Sequence, residues 1–141
     1  MKPVDQDQLN PPPKLPLGNC FAACVASLLE VGIGEVLDDS ELLEGKNWWP
    51  AWLRWLSQRG YGLLHISNNP PAWFFPVAGY SIMSGKSPRG NFGHSVVALD
   101  GVMIHDPHPS RAGLDGEPRD WVIIYPKGVL ATGHWEPGTG N

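Results

Sequence analysis

The chain has 141 residues, a net charge of -4, 42% apolar residues and seven Trp, with 17 Gly and 15 Pro. Gly and Pro at roughly twice their average usage exclude a helical bundle, a coiled coil and a repeat array. The apolar and Trp content excludes a disordered chain, so the sequence predicts one domain over residues 1–141, with short elements around a real core. Basic residues never gather beyond pairs, so no nucleic-acid partner is expected. No apolar run approaches the ~18 residues of a membrane span, and the first residues show no secretory h-region. Cys20 and Cys24 fall one turn apart on a predicted helix, a poor geometry for a disulfide. Free thiols and no export signal lead us to expect a cytoplasmic protein.

Residues 1–18 are polar and Pro-rich, an extended lead-in closed by Pro11, Pro12 and Pro13. Asn19 is placed to cap a helix over Cys20–Val31, where Phe21, Val25, Leu28 and Leu29 recur at helical spacing and Gly32 ends the run. Asp38–Leu43 reads as one or two helical turns, capped by Asp39 or Ser40. Asn47–Arg59 is a second helix, with Trp48, Trp52, Trp55 and Leu56 on one stripe and Pro50 in its first turn. Trp48 either packs this helix on a sheet or offers a flat wall to a substrate. Five strands follow: Tyr61–Ile66, Phe74–Met83 after a turn at 68–71, Gly93–Leu99, Val102–His105 and Trp121–Tyr125. Ser84–Asn91 is read as a loop, Asp100-Gly101 as a hairpin turn and 131–141 as a loose tail. Helices first and strands after predict an α+β fold with an antiparallel sheet.

The chemistry gathers around a Cys at a helix start. Unpaired backbone N–H groups and the macrodipole there favour negative charge, so Cys20 is expected to have a lowered pKa and act as a nucleophile. Cys24, among Ala and Val, is expected to be buried and inert. A thiol nucleophile needs a base, and His94 begins an apolar strand beside Gly93. The hairpin at 100–101 returns His105 and Asp106 to the vicinity of His94; Asp106 is the better orienter, through Nδ1–H, with His105 as the alternative. Donors for an oxyanion are the Cys20 amide and an amide side chain upstream, Gln6 first, then Gln8 or Asn19. Arg111 could hold a substrate carboxylate, and His108 lies on the same Pro-rich rim. His105, Asp106 and His108 lack the spacing of a zinc set, so no metal and no cofactor are expected.

Gly18-Asn19-Cys20-Phe-Ala-Ala-Cys24, Gly93-His94-Ser-Val-Val and Ile104-His105-Asp106-Pro107 together resemble the papain-like cysteine peptidases, with the double-glycine leader peptidases nearest in pattern. The likeness covers about the first 30 residues and 92–109. It implies a papain-like fold, Cys20 as nucleophile, His94 as base, Asp106 as orienter and an upstream Gln in the oxyanion hole. In that family the Gln lies about six residues before the Cys, where this chain has Lys14; Gln6 lies fourteen before. The Gly-His strand also resembles the NlpC-type cell-wall peptidases, which would give the third role to His105. The expected activity is therefore cleavage of a peptide, isopeptide or other amide bond in a peptide or protein substrate, or acyl transfer through the same thioester. The alternatives are a muropeptide peptidase, and a catalytically silent module that docks a partner through its Trp-rich helix.

Overall fold

A computed structural model describes residues 1–42, 46–67 and 78–128. The fold is α+β, with two helices and a five-stranded antiparallel sheet. Helix α1 spans Cys20–Leu29 and α2 spans Trp48–Gln58, with a single 3-10 turn at Ile33–Glu35 between them. The strands are β1 (Tyr61–Ile66), β2 (Tyr80–Lys86), β3 (Gly93–Leu99), β4 (Val102–His105) and β5 (Asp120–Pro126). Their order across the sheet is β1-β5-β2-β3-β4, so β3 and β4 form the hairpin predicted at 100–101, and β5 returns between β1 and β2. The predicted ends of β1, β3 and β4 stand as drawn from the sequence, whereas the lead-in, expected to be extended, turns at 11–14 and pairs back on itself, Gly18 N–H to the Asn10 carbonyl.

Both helices cover one face of the sheet. Phe21, Val25, Trp52 and Leu56 pack on Ile82, Val97 and Val122. Each fully buried side chain of this size stabilises the fold by about 1.5–3 kcal/mol through removal of apolar surface from water. The opposite face is smaller: Met83, Val96, Ala98 and Trp121 with Leu114 from the segment before β5. Alternation along β3 explains the division, because Val97 and Val96 point to opposite faces. Among the described residues no helix is long and apolar enough to cross a membrane.

Some boundaries differ from the sequence reading. Helix α1 ends at Leu29 rather than Val31, because Glu30 takes a left-handed backbone (φ 59°) and turns the chain before Gly32 is reached. Asn19 makes no side-chain cap to the helix. Residues 38–42 are not helical; Asp38 Oδ1 accepts the Ser40 N–H at 3.1 Å and its hydroxyl at 2.6 Å, a local turn that competes with a helix. Strand β2 runs through Ser84–Lys86, predicted as loop, because these residues pair with Ser95, His94 and Gly93 of β3. A strand tolerates low intrinsic propensity where a neighbour supplies its ladder. Ala78 and Gly79 are not strand, and 74–77, the turn at 68–71 and the tail at 131–141 lie outside the described residues.

Candidate active site

A cavity of about 860 Å³ opens where the N-terminus of α1 meets the start of β3. Cys20, His94, Gln6, Trp48 and His108 all line it. Of the side chains singled out from the sequence, Asp106 stands directly behind the wall, bonded to His94, while Arg111 and His105 are turned elsewhere.

His94 and Asp106 form the firmest contact. The His94 Nε2–H donates to Asp106 Oδ1 at 2.7 Å, with both side chains almost wholly buried. The ring therefore meets the carboxylate through Nε2, not the Nδ1 expected from the sequence, and Nδ1 is left for other work. Burial works to raise the Asp106 pKa. The backbone N–H of His108 (2.9 Å), the His94 ring and the N–H of Gly113 (2.7 Å) outweigh it, and the carboxyl ends below its usual value. Burial lowers the His94 pKa despite Asp106, with the charges of Arg89 and His108 adding to the effect. At neutral pH the pair is a neutral imidazole on an ionised carboxylate, the state a general base requires.

Asp106, and not His105, is the partner of His94. The His105 Nε2–H donates to the Val4 carbonyl at 2.9 Å, which ties β4 to the lead-in. The irregular step between Val97 and Ala98 in the β3–β4 ladder sets this apart: Val97 pairs with His105, one residue off the symmetric register. Arg111 is likewise spoken for. Its guanidinium holds both oxygens of Asp5 at 2.5 and 2.7 Å and the Asp106 carbonyl at 2.5 Å, so it pins the lead-in and does not line the cavity. His108 is on the rim, with its ring edge-on to that of His94 at 6.2 Å between centroids. Its Nδ1 accepts the Ser110 N–H at 3.0 Å, which places the ring proton on Nε2.

Cys20 departs from expectation. Burial pushes its thiol up to about 11, against which the hydrogen-bonding contributions of Ser95 and the Phe21 amide are too weak. The charge of Asp39 raises it further. A helix N-terminus favours a thiolate by a fraction of a pKa unit to about one, and the loss of water around the sulfur wins. The resting group is a thiol. Cys24 is completely buried and its pKa is raised well above normal by the same cause, as expected for an inert residue. Ser95 faces α1 alongside Val97; its neighbour His94 leans, by strand alternation, toward the segment after β4. Cys20 lines the cavity from the start of α1 and His94 from the start of β3.

Gln6 reaches this place by a detour. The chain pairs with itself: Gly18 N–H donates to the Asn10 carbonyl at 3.0 Å, and Asn19 N–H to the Gln8 carbonyl at 3.2 Å. Asn19 Oδ1 accepts the N–H groups of Asp7 (3.2 Å) and Gln8 (3.0 Å), and its Nδ2 donates to Asp7 Oδ1 at 2.7 Å. The Pro-rich residues between are looped out. Gln6 Nε2 donates to the Gln8 carbonyl at 2.9 Å and lies 3.5 Å from where a Cβ on Gly18 would stand, two residues before the nucleophile candidate. Its Oε1 is buried without a partner among the described residues. Gln8 Oε1 is in the same condition but Gln8 does not line the cavity. As the first residue of α1, Cys20 also has an amide with no partner inside the helix.

Sequence reasoning missed Asp39, read only as a cap. Its carboxylate is 6% exposed and lines the cavity. Oδ2 accepts the indole N–H groups of Trp48 at 3.1 Å and Trp52 at 3.0 Å. A run of Asp and Trp nine and thirteen residues apart carries no helical or strand period that would have pointed to this. Among the described residues no group of three or more His, Cys, Asp or Glu side chains is placed to hold a metal ion. Comparison with protein families, with curated proteins and with solved structures gives no match.

Proposed function

We propose that the chain is a papain-like cysteine hydrolase acting on a peptide, isopeptide or other amide bond. The observation that carries this reading is the buried His94–Asp106 bond at 2.7 Å behind a cavity that Cys20 and Gln6 also line. A neutral imidazole oriented by a carboxylate is the base a protonated thiol needs. In the reading, Nδ1 of His94 takes the Cys20 proton as the sulfur turns from Ser95 toward the ring. The sulfur attacks the carbonyl carbon and the carbonyl π pair moves to oxygen. The Cys20 amide and a Gln6 Nε2–H are donors for that oxyanion. Collapse expels the amine, which takes the proton from His94. Water, deprotonated by His94, then cleaves the thioester; an amine in its place would give acyl transfer. Two free thiols suit a reducing compartment such as the cytoplasm.

The test is turnover of a fluorogenic peptide-amide library. Wild type should release product, with a thioester visible in the intact mass of rapidly quenched samples. Cys20→Ala should abolish both. Turnover that survives Cys20→Ala would overturn the assignment.

One observation favours a second reading, a non-catalytic module that binds its ligand in the same cavity. Burial pushes the Cys20 thiol up to about 11, so at neutral pH it rests uncharged and weakly nucleophilic. Under that reading the library gives no turnover and the cavity still takes a ligand.

A further inference from the structure

Asp39 has no task in the chemistry above, yet it is a charged group buried in the cavity wall. Its Oδ2 is held by two indoles, and its Oδ1 is buried without a partner among the described residues. Burying an ionised carboxylate is costly unless something neutralises it. Apart from Asp39, the wall around it is aromatic. Phe21 meets Trp48 edge-on at 4.7 Å, and Trp48 meets Trp49 edge-on at 4.6 Å. All three line the cavity. A buried carboxylate among aromatic rings is a setting in which a desolvated cation is bound, although His65 already covers one face of Trp49, stacked at 4.5 Å.

The basic residues are elsewhere on the wall. Lys86 is paired with Asp115 at 2.8 Å, and Arg89 with the Ser110 hydroxyl at 3.1 Å, both on the sheet side with Arg119. Asp120, the other carboxylate on the wall, is engaged by His65 at 3.2 Å. A ligand cation is therefore steered from the strands toward the helix wall, where Asp39 is the acid without a cation.

We propose that the cavity selects a ligand bearing a protonated amine or a guanidinium on an alkyl chain, seated between Asp39 and the rings of Trp48, Trp49 and Phe21. The inference deepens the hydrolase reading, since it names the substrate class of that site, but the subsite itself does not depend on turnover. It also couples recognition to reactivity. The Asp39 charge bears on the Cys20 sulfur, and a cation bound at Asp39 offsets it. A cationic substrate thus removes part of what holds the thiol protonated.

The experiment uses n-butylammonium and n-butylguanidinium, with n-butanol as the neutral counterpart, titrated against the full chain by Trp fluorescence at low salt. Either cation should bind at least about tenfold tighter than the alcohol, as a cation–π contact plus a buried carboxylate requires. Asp39→Asn should lose the preference. Should Asp39→Asn fail to fold, the wild-type comparison decides alone: equal binding of cation and alcohol overturns the proposal. Paired lysyl and norleucyl amides separate the two ideas. Turnover without a lysyl preference sinks the cation subsite and leaves the hydrolase; cation binding without turnover keeps the subsite and sinks the hydrolase.

Discussion

Asn19 and Asp7 grip each other from both ends of one amide: the Asp7 N–H donates to Asn19 Oδ1 at 3.2 Å while Asn19 Nδ2 donates to Asp7 Oδ1 at 2.7 Å. With the Gln8 N–H also on Asn19 Oδ1 at 3.0 Å, this clasp shortens a fourteen-residue separation between Gln6 and Cys20 to a local one. Asn19→Ala removes all three bonds. We expect a loss of about 1–3 kcal/mol in denaturant unfolding, the cost of leaving part-buried backbone donors unpaired. If amide turnover is found, kcat should fall, because Gln6 is displaced together with the Leu9–Pro12 bank of the cavity. Unchanged unfolding midpoints would show that the clasp is not structural.

The Cys20 thiol should depend on His94 for its reactivity. Alkylation by iodoacetamide at pH 7, followed by peptide mapping, should label Cys20 and spare Cys24, which is enclosed on all sides. His94→Ala should slow the labelling at least about tenfold, as expected when a positioned base is removed. Asp106→Asn should slow it less, since the ring remains but loses its carboxylate. Equal rates in wild type and His94→Ala would exclude a base role.

Asp39 makes stability fall as pH rises through the acid range. Burial raises its pKa to about 6, from an ordinary 3.8. Between those values the folded chain holds a proton that the unfolded chain has released. The native state thus binds more protons, and unfolding free energy falls with rising pH. Two pKa units correspond to roughly 3 kcal/mol. His94 has the opposite sign: its folded pKa is lowered from 6.5, so its contribution grows as pH rises toward 6.5 and is lost below. The difference between wild type and Asp39→Asn isolates Asp39. Relative to wild type, the variant should gain stability between pH 4 and pH 7; a constant difference over that range would refute the buried charge.

Arg111→Ala should leave ligand affinity alone and loosen the N-terminus. Its bonds run to Asp5 and the Asp106 carbonyl, outside the cavity. Hydrogen exchange should accelerate in residues 2–6, with KM for any substrate unchanged. A raised KM with unchanged exchange would return Arg111 to the substrate.

The order of the two helices and five strands, and both ends of β1, β3 and β4, could be read from the sequence because periodicity switches cleanly at Gly60, from Trp and Leu at helical spacing to Tyr61–Ile66. Strand β2 could not be read to its end, since Ser84, Gly85 and Lys86 owe their conformation to pairing with β3. Asp106 was already the better orienter as a carboxylate, but the β3–β4 irregularity that turns His105 toward Val4 leaves no mark in the residues themselves. Gln6 was legible as a residue type but not as a position, since the clasp that carries it forward is made of long-range bonds. The thiol pKa was misjudged because helix-end position is visible in a sequence and desolvation is not. Asp39 was hidden altogether, since its meaning lies in two indoles from another element.

The looped-out prolines divide the labour within the chain. Pro11 and Pro12 line the cavity, as do Leu9 and Asn10, but none of them holds the His94–Asp106 pair. The clasp between 7–10 and Gly18-Asn19 closes the loop at its neck. Whatever happens beyond that neck reshapes one bank of the cavity and leaves the nucleophile candidate in place. Related chains could exchange this segment, longer or shorter, to fit different ligands, in the way an antibody exchanges loops on a constant frame.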